Sequence, residues 1–186
     1  MFKVVIPARY ASTRLPGKPL LDIAGKPMVV RVAEQVQKSA ASDIVIATDF
    51  EKIVDVAKAH NIKALMTRVD HVSGTDRIAE VAQTLNWADD DIVVNVQGDE
   101  PLIDPILINQ VAEHLALNLN AVMATACHAI CDEASMMSPN IVKVVMDANS
   151  NAMYFSRAPI PYPRDEAHKQ TIEAHRFFPS RMVLNR

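Results

Sequence analysis

The chain has 186 residues, of which 49% are hydrophobic and 22% charged, and its formal net charge is −3. This composition is typical of a globular protein that can bury a sizeable core. The net charge argues against binding to a nucleic-acid polymer, which needs a broad basic face. The apolar runs are all shorter than the roughly 20 residues that a membrane-spanning helix needs.

Predicted strands and helices alternate through the first part of the chain. Short apolar runs predict strands at residues 3–6, 43–49, 63–66 and 91–96. Between and after them, four helices are predicted from apolar residues at helical spacing within residues 28–36, 53–57, 78–85 and 108–115, and residues 73–77 open the third of these helices. Pro27 and Pro105 stand where the first and last of these helices would begin.

The pattern changes after residue 120, where strands follow one another. We predict strands at residues 121–127, 141–146 and 152–155, with residues 147–151 as a hairpin turn. Strand–helix alternation followed by strands predicts an α/β fold, with a mostly parallel, mixed sheet and helices on both faces. We expect a single domain over residues 1–186.

A cluster of positive charge follows the first predicted strand. Residues 9–18 hold three permanent cations, Arg9, Arg14 and Lys18. Arginine binds phosphate oxygens in pairs and lysine adds a compact charge, so this loop is suited to hold a polyphosphate. It contains neither of the common glycine-rich phosphate motifs. The alternative is a solvated loop that binds nothing.

A second candidate follows the apolar strand at 91–96. Asp99 lies just past Gln97 and Gly98, in the position of a magnesium ligand. Alternatively, Asp99 only caps the turn before Pro101. Ligands of parallel sheets collect at the carboxyl ends of the strands, so we expect the loops at 9–18, 73–77 and 97–100 to share one edge.

Two weaker candidates remain. Ser73 or Thr75 can cap a helix, and the N–H groups at that helix start also suit a base or a phosphate. Arg157 and Arg164 lie on a proline-rich segment and suit the binding of a carboxylate. The alternatives are capping alone for Ser73 and solvent exposure for the two arginines.

The two cysteines, Cys127 and Cys131, are predicted to be buried free thiols and not a metal site. Pro7 and Arg9 interrupt the first apolar run, which does not fit a signal peptide. A reducing cytoplasm is therefore the expected compartment.

Several motifs together resemble the 3-deoxy-manno-octulosonate cytidylyltransferases, also called CMP-KDO synthetases. The motifs are Ile-Pro-Ala-Arg-Tyr-Ala-Ser-Thr-Arg-Leu-Pro-Gly-Lys-Pro-Leu at 6–20, Asp-His-Val-Ser-Gly-Thr-Asp-Arg at 70–77, Val-Asn-Val-Gln-Gly-Asp-Glu-Pro at 94–101, Val-Lys-Val-Val at 142–145 and Tyr-Phe-Ser-Arg at 154–157.

This resemblance implies a Rossmann-like three-layer α/β/α fold of the nucleotide-diphospho-sugar transferase type. It also implies that CMP is transferred from CTP to 3-deoxy-manno-octulosonate (KDO), with Mg²⁺ and release of pyrophosphate, for lipopolysaccharide biosynthesis. Members of the family form homodimers.

The resemblance also implies a set of site residues. The implied roles are nucleotide binding by Arg9, Arg14, Lys18, Ser73 and Gln97, sugar-acid binding by Gln97, Arg157 and Arg164, magnesium binding by Asp99, and catalysis by Arg9, Lys18 and Asp99.

The end of the chain departs from the family pattern. Family members carry a Gly-Val-Asp-Thr element whose aspartate is a second metal ligand, and this sequence has no such element. We therefore expect a C-terminally truncated chain with weaker magnesium binding. The alternative function is a catalytically inactive fragment that still binds CTP.

Overall fold

The computed structural model describes residues 1–11, 15–160 and 162, and the backbone of residues 178–179 and 184–185. The strands are β1 (Phe2–Ala8), β2 (Asp22–Ile23), β3 (Lys26–Pro27), β4 (Asp43–Thr48), β5 (Ala64–Met66), β6 (Ile92–Asn95), β7 (Lys143–Met146), β8 (Ala152–Ser156), β9 (Phe178–Pro179) and β10 (Leu184–Asn185). The helices are α1 (Met28–Val36), α2 (Glu51–Ala59), α3 (Gly74–Thr84), α4 (Pro105–Leu117) and α5 (Glu133–Met137), with a short 3₁₀ helix at Lys18–Leu20.

The chain divides into two compact units, Met1–Ala124 with Val183–Arg186, and Thr125–Met182. The expectation of a single domain over residues 1–186 stays a prediction. In the first unit, a five-stranded sheet has the order β10-β6-β1-β4-β5. Strands β6, β1, β4 and β5 are parallel, and β10 pairs antiparallel with β6. The sheet is thus mixed but mostly parallel, as predicted.

Both faces of this sheet are covered. On one face, Ile78 and Val81 of α3 pack in a cluster with Val5 and Val45. The intervening side chains of β1 point to the other face, and Val4 and Ile6 there are also fully buried. Helices α1, α2 and α4 contact the strands of this sheet. Burial on both faces explains why β1 reads as a continuous apolar run, and the predicted α/β fold is confirmed.

The second unit contains α5 and a three-stranded antiparallel sheet in the order β8-β7-β9. Strands β7 and β8 form the predicted hairpin. In its turn the N–H of Asp147 donates to the carbonyl of Asn151, at 2.9 Å. Among the described residues, no helix is long and apolar enough to cross a membrane.

Three details of the second half differ from prediction. Residues 121–126 lie outside any strand, and Val122 and Met123 are exposed, so their apolar character does not reflect a core position. Helix α5 was not predicted because it spans only five residues and buries just Met136, too little for a periodic signal. The two cysteines are free, but both are exposed and not buried.

Candidate active site

The loops after β1 and β6 converge at the carboxyl edge of the parallel sheet, together with the start of α3. Two glycines, Gly98 in the loop after β6 and Gly74 at the start of α3, lie against Pro7 near the end of β1. A Cβ added to Gly98 would lie 2.8 Å from the Pro7 carbonyl oxygen, and one added to Gly74 would lie 4.0 Å from Pro7 Cγ. The predicted meeting of these loops at one edge is therefore confirmed.

A hydrogen-bonded ion pair joins the two loops. It is formed by Lys18, the predicted phosphate ligand, and Asp99, the predicted magnesium ligand. Lys18 Nζ donates to Asp99 Oδ2 at 2.6 Å. Both side chains remain accessible, with 34% of Lys18 and 48% of Asp99 exposed. An ammonium and a carboxylate in contact at an open edge can reach a ligand that carries both phosphate and a cation.

Arg9 lies at the same edge, directly after β1. Its Nη2 donates to the carbonyl oxygen of His71 at 2.7 Å. A guanidinium has several N–H donors, so this bond does not exhaust its capacity for phosphate oxygens. The contact also fixes the side chain relative to the segment that leads into α3.

Ser73 is the N-cap of α3. Its hydroxyl accepts from the N–H of Asp76 at 3.2 Å, and the Asp76 carboxylate accepts from the N–H of Ser73 at 2.9 Å, which completes a capping box. The Ser73 hydroxyl also donates to Asp76 Oδ2 at 2.7 Å, and this bond, followed by the one from the Ser73 N–H, holds the pKa of Asp76 below its ordinary value. Capping by Ser73 is thus confirmed, and its contact with the nucleotide stays a prediction.

His71 is tied to α3 and is almost buried, with 7% of its side chain exposed. Its Nε2 pairs with Glu80 Oε2, and this bond is the main cause that lowers the pKa of Glu80. His71 therefore holds the segment whose carbonyl receives Arg9.

Gln97 is exposed in the loop that also carries Asp99. Its Nε2 donates to Asn95 Oδ1 at 3.0 Å. This bond orients the amide at the end of β6, two residues before Asp99. The roles of Gln97 toward nucleotide and sugar stay predictions.

The other predicted arginines lie elsewhere. Arg14 and Arg164 fall outside the described residues. Arg157 lies in the second unit, where its Nη1 donates to the Pro139 carbonyl at 2.8 Å. Lys143 Nζ donates to the Arg157 carbonyl at 2.9 Å, and burial lowers the pKa of this lysine. Sugar-acid binding by Arg157 and Arg164 therefore stays a prediction.

The sequence reasoning missed a buried ion pair at the same edge. Arg77 Nη2 donates to Asp49 Oδ2 at 2.8 Å, and Arg77 is fully buried. A signal was present, because Arg77 is four residues before Val81 and so lies on the apolar face of α3. A cation in that position needs a buried partner, and Asp49 follows the buried strand β4.

No group of three or more His, Cys, Asp or Glu side chains within the described residues could hold a metal ion. Mg²⁺, however, commonly takes one or two carboxylates and completes its shell with water and phosphate oxygens. The accessible carboxylate of Asp99 can supply one such ligand.

Comparison with known proteins gives a family and a fold. The model of a family described as cytidylyltransferase matches residues 3–183. A solved CMP:2-keto-3-deoxy-manno-octonic acid synthetase in complex with CTP is 42% identical, with a TM-score of 0.87. That match covers 99% of this chain and 73% of the synthetase.

More distant structures share the fold. A cytidylyltransferase from Leptospira borgpetersenii serovar Hardjo-bovis (strain JB197) is 23% identical with a TM-score of 0.58, over 74% of this chain and 56% of that one. HddC from Yersinia pseudotuberculosis is 14% identical with a TM-score of 0.63, over 100% of this chain and 76% of that one.

Proposed function

Because this chain belongs to the cytidylyltransferase family, we propose that it transfers CMP from CTP to KDO and releases pyrophosphate. One observation carries the proposal: the chain is 42% identical, over 99% of its length, to a synthetase of the CMP conjugate of this sugar acid, solved with CTP. The geometry of the sheet edge supports it, because cationic and acidic groups suited to a nucleoside triphosphate meet there.

In the proposed complex, Arg9 and Lys18 bind the triphosphate, and Arg14 adds a third cation from the same loop. The phosphates compete for Lys18 with Asp99, whose Oδ2 accepts a hydrogen bond from Lys18 Nζ at 2.6 Å. Ser73 and Gln97 line the nucleotide on the neighbouring loops. All of these except Arg14 are described residues of the first unit.

The reaction needs no covalent intermediate on the protein. A hydroxyl of KDO gives its proton to solvent water and its oxygen attacks the α-phosphorus, the bond from that phosphorus to the oxygen that bridges it to the β-phosphate breaks, and pyrophosphate leaves with that oxygen. Negative charge grows on the phosphoryl oxygens and the departing pyrophosphate. Fixed cations at Arg9 and Lys18 stabilise that charge because they are oriented before the reaction begins.

Magnesium is the proposed cofactor, and Asp99 is the residue that would hold it. When bound, a divalent cation polarises phosphoryl oxygens and neutralises charge on the leaving group. The contribution of the chain is to keep Asp99 beside Lys18 at an accessible edge.

The remaining parts of the proposal concern the acceptor and its context. Arg157 and Arg164 are the proposed ligands of the sugar acid's carboxylate, and Gln97 is proposed to contact the sugar acid as well. The product serves lipopolysaccharide biosynthesis in the cytoplasm, and the active species is a homodimer.

The test is a pyrophosphate-release assay with purified protein, CTP and Mg²⁺. We expect release when KDO is added, and none without an acceptor or with a sialic acid in its place. CTP binding without release on KDO would contradict the transferase proposal and favour a binding fragment.

Asp99→Asn tests the role of the acid in the same assay. The amide keeps the shape but loses the charge, so the variant should need far more Mg²⁺ for the same rate and should still bind CTP without metal. Asp104→Asn, at the start of α4, is the matched control and should leave the magnesium dependence unchanged.

A further inference from the structure

The geometry points to Asp49 and Arg77 as positioning residues. This ion pair fixes the neck of the loop at residues 10–17, which is the place where Tyr10 and Gly17 are hydrogen-bonded to each other. We propose that this pair sets the placement of Arg9 and Lys18 for the nucleotide. The inference rests on the proposed function for its effect on CTP, and on contacts within the first unit for its structural part.

Arg77 is an unusual residue to find in a core. It is fully buried in α3, where Nη1 donates to Thr67 Oγ1 at 2.5 Å and Nη2 donates to Asp49 Oδ2 at 2.8 Å. Its Nε is buried with no hydrogen-bond partner among the described residues. The cost of burying this charge is therefore not fully offset by its contacts.

Asp49 contacts both Arg77 and the loop. Its side chain is 12% exposed, and while Oδ2 accepts from Arg77, Oδ1 accepts from the backbone N–H of Tyr10 at 3.2 Å. Asp49 therefore connects α3 to the first residue after Arg9.

Tyr10 is the point at which the loop closes. Its carbonyl oxygen accepts from the N–H of Gly17 at 3.0 Å, and its ring stacks on Phe50 with centroids 3.9 Å apart. Gly17 has a φ of +73° and lies under the tyrosine ring. Arg9 and Lys18 are the residues that flank this closed neck on either side.

A purely structural role is a weaker explanation for the pair. Replacing both partners of a buried ion pair with apolar residues of similar volume is often neutral or stabilising, whereas removing one partner destabilises. The carboxylate does something that an apolar residue cannot, because it accepts the N–H of Tyr10. The charged pair is therefore explained by the placement of the loop.

Two variants separate an effect on CTP affinity from an effect on stability. Asp49→Leu combined with Arg77→Met removes the acceptor but leaves no unpaired charge, so the fold should persist. We expect its KM for CTP to rise about five- to tenfold, the effect of losing one hydrogen bond, and its kcat to fall as well, because Arg9 and Lys18 also stabilise the charge of the transition state. Asp49→Asn keeps an oxygen that can accept from the Tyr10 N–H but leaves the buried charge of Arg77 without a counter-charge. The free energy of unfolding should therefore fall, while CTP affinity is largely retained.

Asp43 and Lys63 give a matched control. This pair, with 2.6 Å between Lys63 Nζ and Asp43 Oδ2, lies at the opposite end of β4. Asp43→Leu combined with Lys63→Met should leave the KM for CTP unchanged.

Hydrogen exchange of the Tyr10 and Gly17 amides provides a readout without nucleotide. Both amides should exchange faster in the double variant than in wild type. Unchanged exchange together with unchanged CTP affinity in the folded double variant would overturn the positioning role. A wild-type chain that does not bind CTP would overturn the proposed function, and amide exchange would still decide the structural part.

Discussion

Lys18 Nζ lies 2.6 Å from Asp99 Oδ2, although the two residues are 81 positions apart in the sequence. The contact exists because β1 and β6 are parallel neighbours, with Val5 paired to Asn95, so the loops that follow them leave the sheet side by side.

Removing the ammonium of Lys18 should weaken nucleotide binding. Charge-assisted contacts to phosphate contribute about 1.5–3 kcal/mol, so Lys18→Ala or Arg9→Ala should raise the Kd for CTP by about tenfold or more. Calorimetric titration with CTP measures this. Lys38→Ala removes an exposed cation at the end of α1 and should leave the Kd as in wild type. An unchanged Kd for Lys18→Ala would contradict the phosphate-binding assignment.

Gly98 and Gly74 form a matched pair because both lie against Pro7. In Gly98→Ala the new methyl group would stand 2.8 Å from the Pro7 carbonyl oxygen, so the loop carrying Asp99 must move. We expect a loss of about 1–3 kcal/mol in unfolding free energy and a slower transferase rate. Gly74→Ala meets only ordinary contact at 4.0 Å and should not lower stability. Urea unfolding of both variants gives the comparison.

Ser73 has a structural role and a proposed binding role, which a second helix cap can separate. Ser73→Ala removes the hydroxyl that accepts from the N–H of Asp76 and should cost about 1 kcal/mol of stability. Asp104→Ala removes the cap of α4, whose Oδ1 accepts from Ile106 N–H at 2.9 Å, with a similar cost. Only Ser73→Ala should also weaken CTP binding. Equal CTP affinity in the two variants would limit Ser73 to capping.

Acid should destabilise the chain partly through Glu80. The bond from His71 holds the pKa of Glu80 below its ordinary value of 4.5 in the folded state. The folded chain therefore takes up this proton less readily than the unfolded chain. The stabilisation is complete above the unfolded pKa and is lost as pH falls through the folded pKa. Glu80→Gln should show a shallower decline in unfolding free energy between neutral pH and about pH 3.

Glu34→Gln is the comparison for that experiment, since its hydrogen bond from Lys26 also lowers the pKa of Glu34. It should flatten the acid decline in the same direction. Only Glu80→Gln should also raise the Kd for CTP, because His71 supplies the carbonyl that holds Arg9. A steeper acid decline in Glu80→Gln than in wild type would show that the sign is wrong.

Much of the first unit could be predicted because its signals are local. The buried strands β1 and β6 read as continuous apolar runs, and α4 begins at Pro105 after a capping aspartate, Asp104. In the second unit the signal was weaker, since the strand β8 is exposed along most of its length. The apolar stretch at 121–127 failed as a prediction because apolar residues there do not pack in a core.

In the site, too, the residues with a local sequence signal could be predicted and the others could not. Arg9, Lys18 and Asp99 could be predicted because each follows a recognisable strand, and the sheet order then brings them together. The pairing of Arg77 with Asp49 could not be predicted with the same means. It depends on the rotation of α3 over the sheet, which sequence spacing indicates only as an apolar face.

The central place of β1 has a consequence for how the chain is made. Lys3 pairs with Asp43 on one side and with Val93 on the other, so β1 emerges from the ribosome well before either neighbour. The apolar side chains of β1 stay unpaired until β4 and β6, about forty and ninety residues later, have been synthesised, and such non-local pairing is slow. During that interval, nascent chains of this protein should be clients for chaperones that recognise short apolar strands.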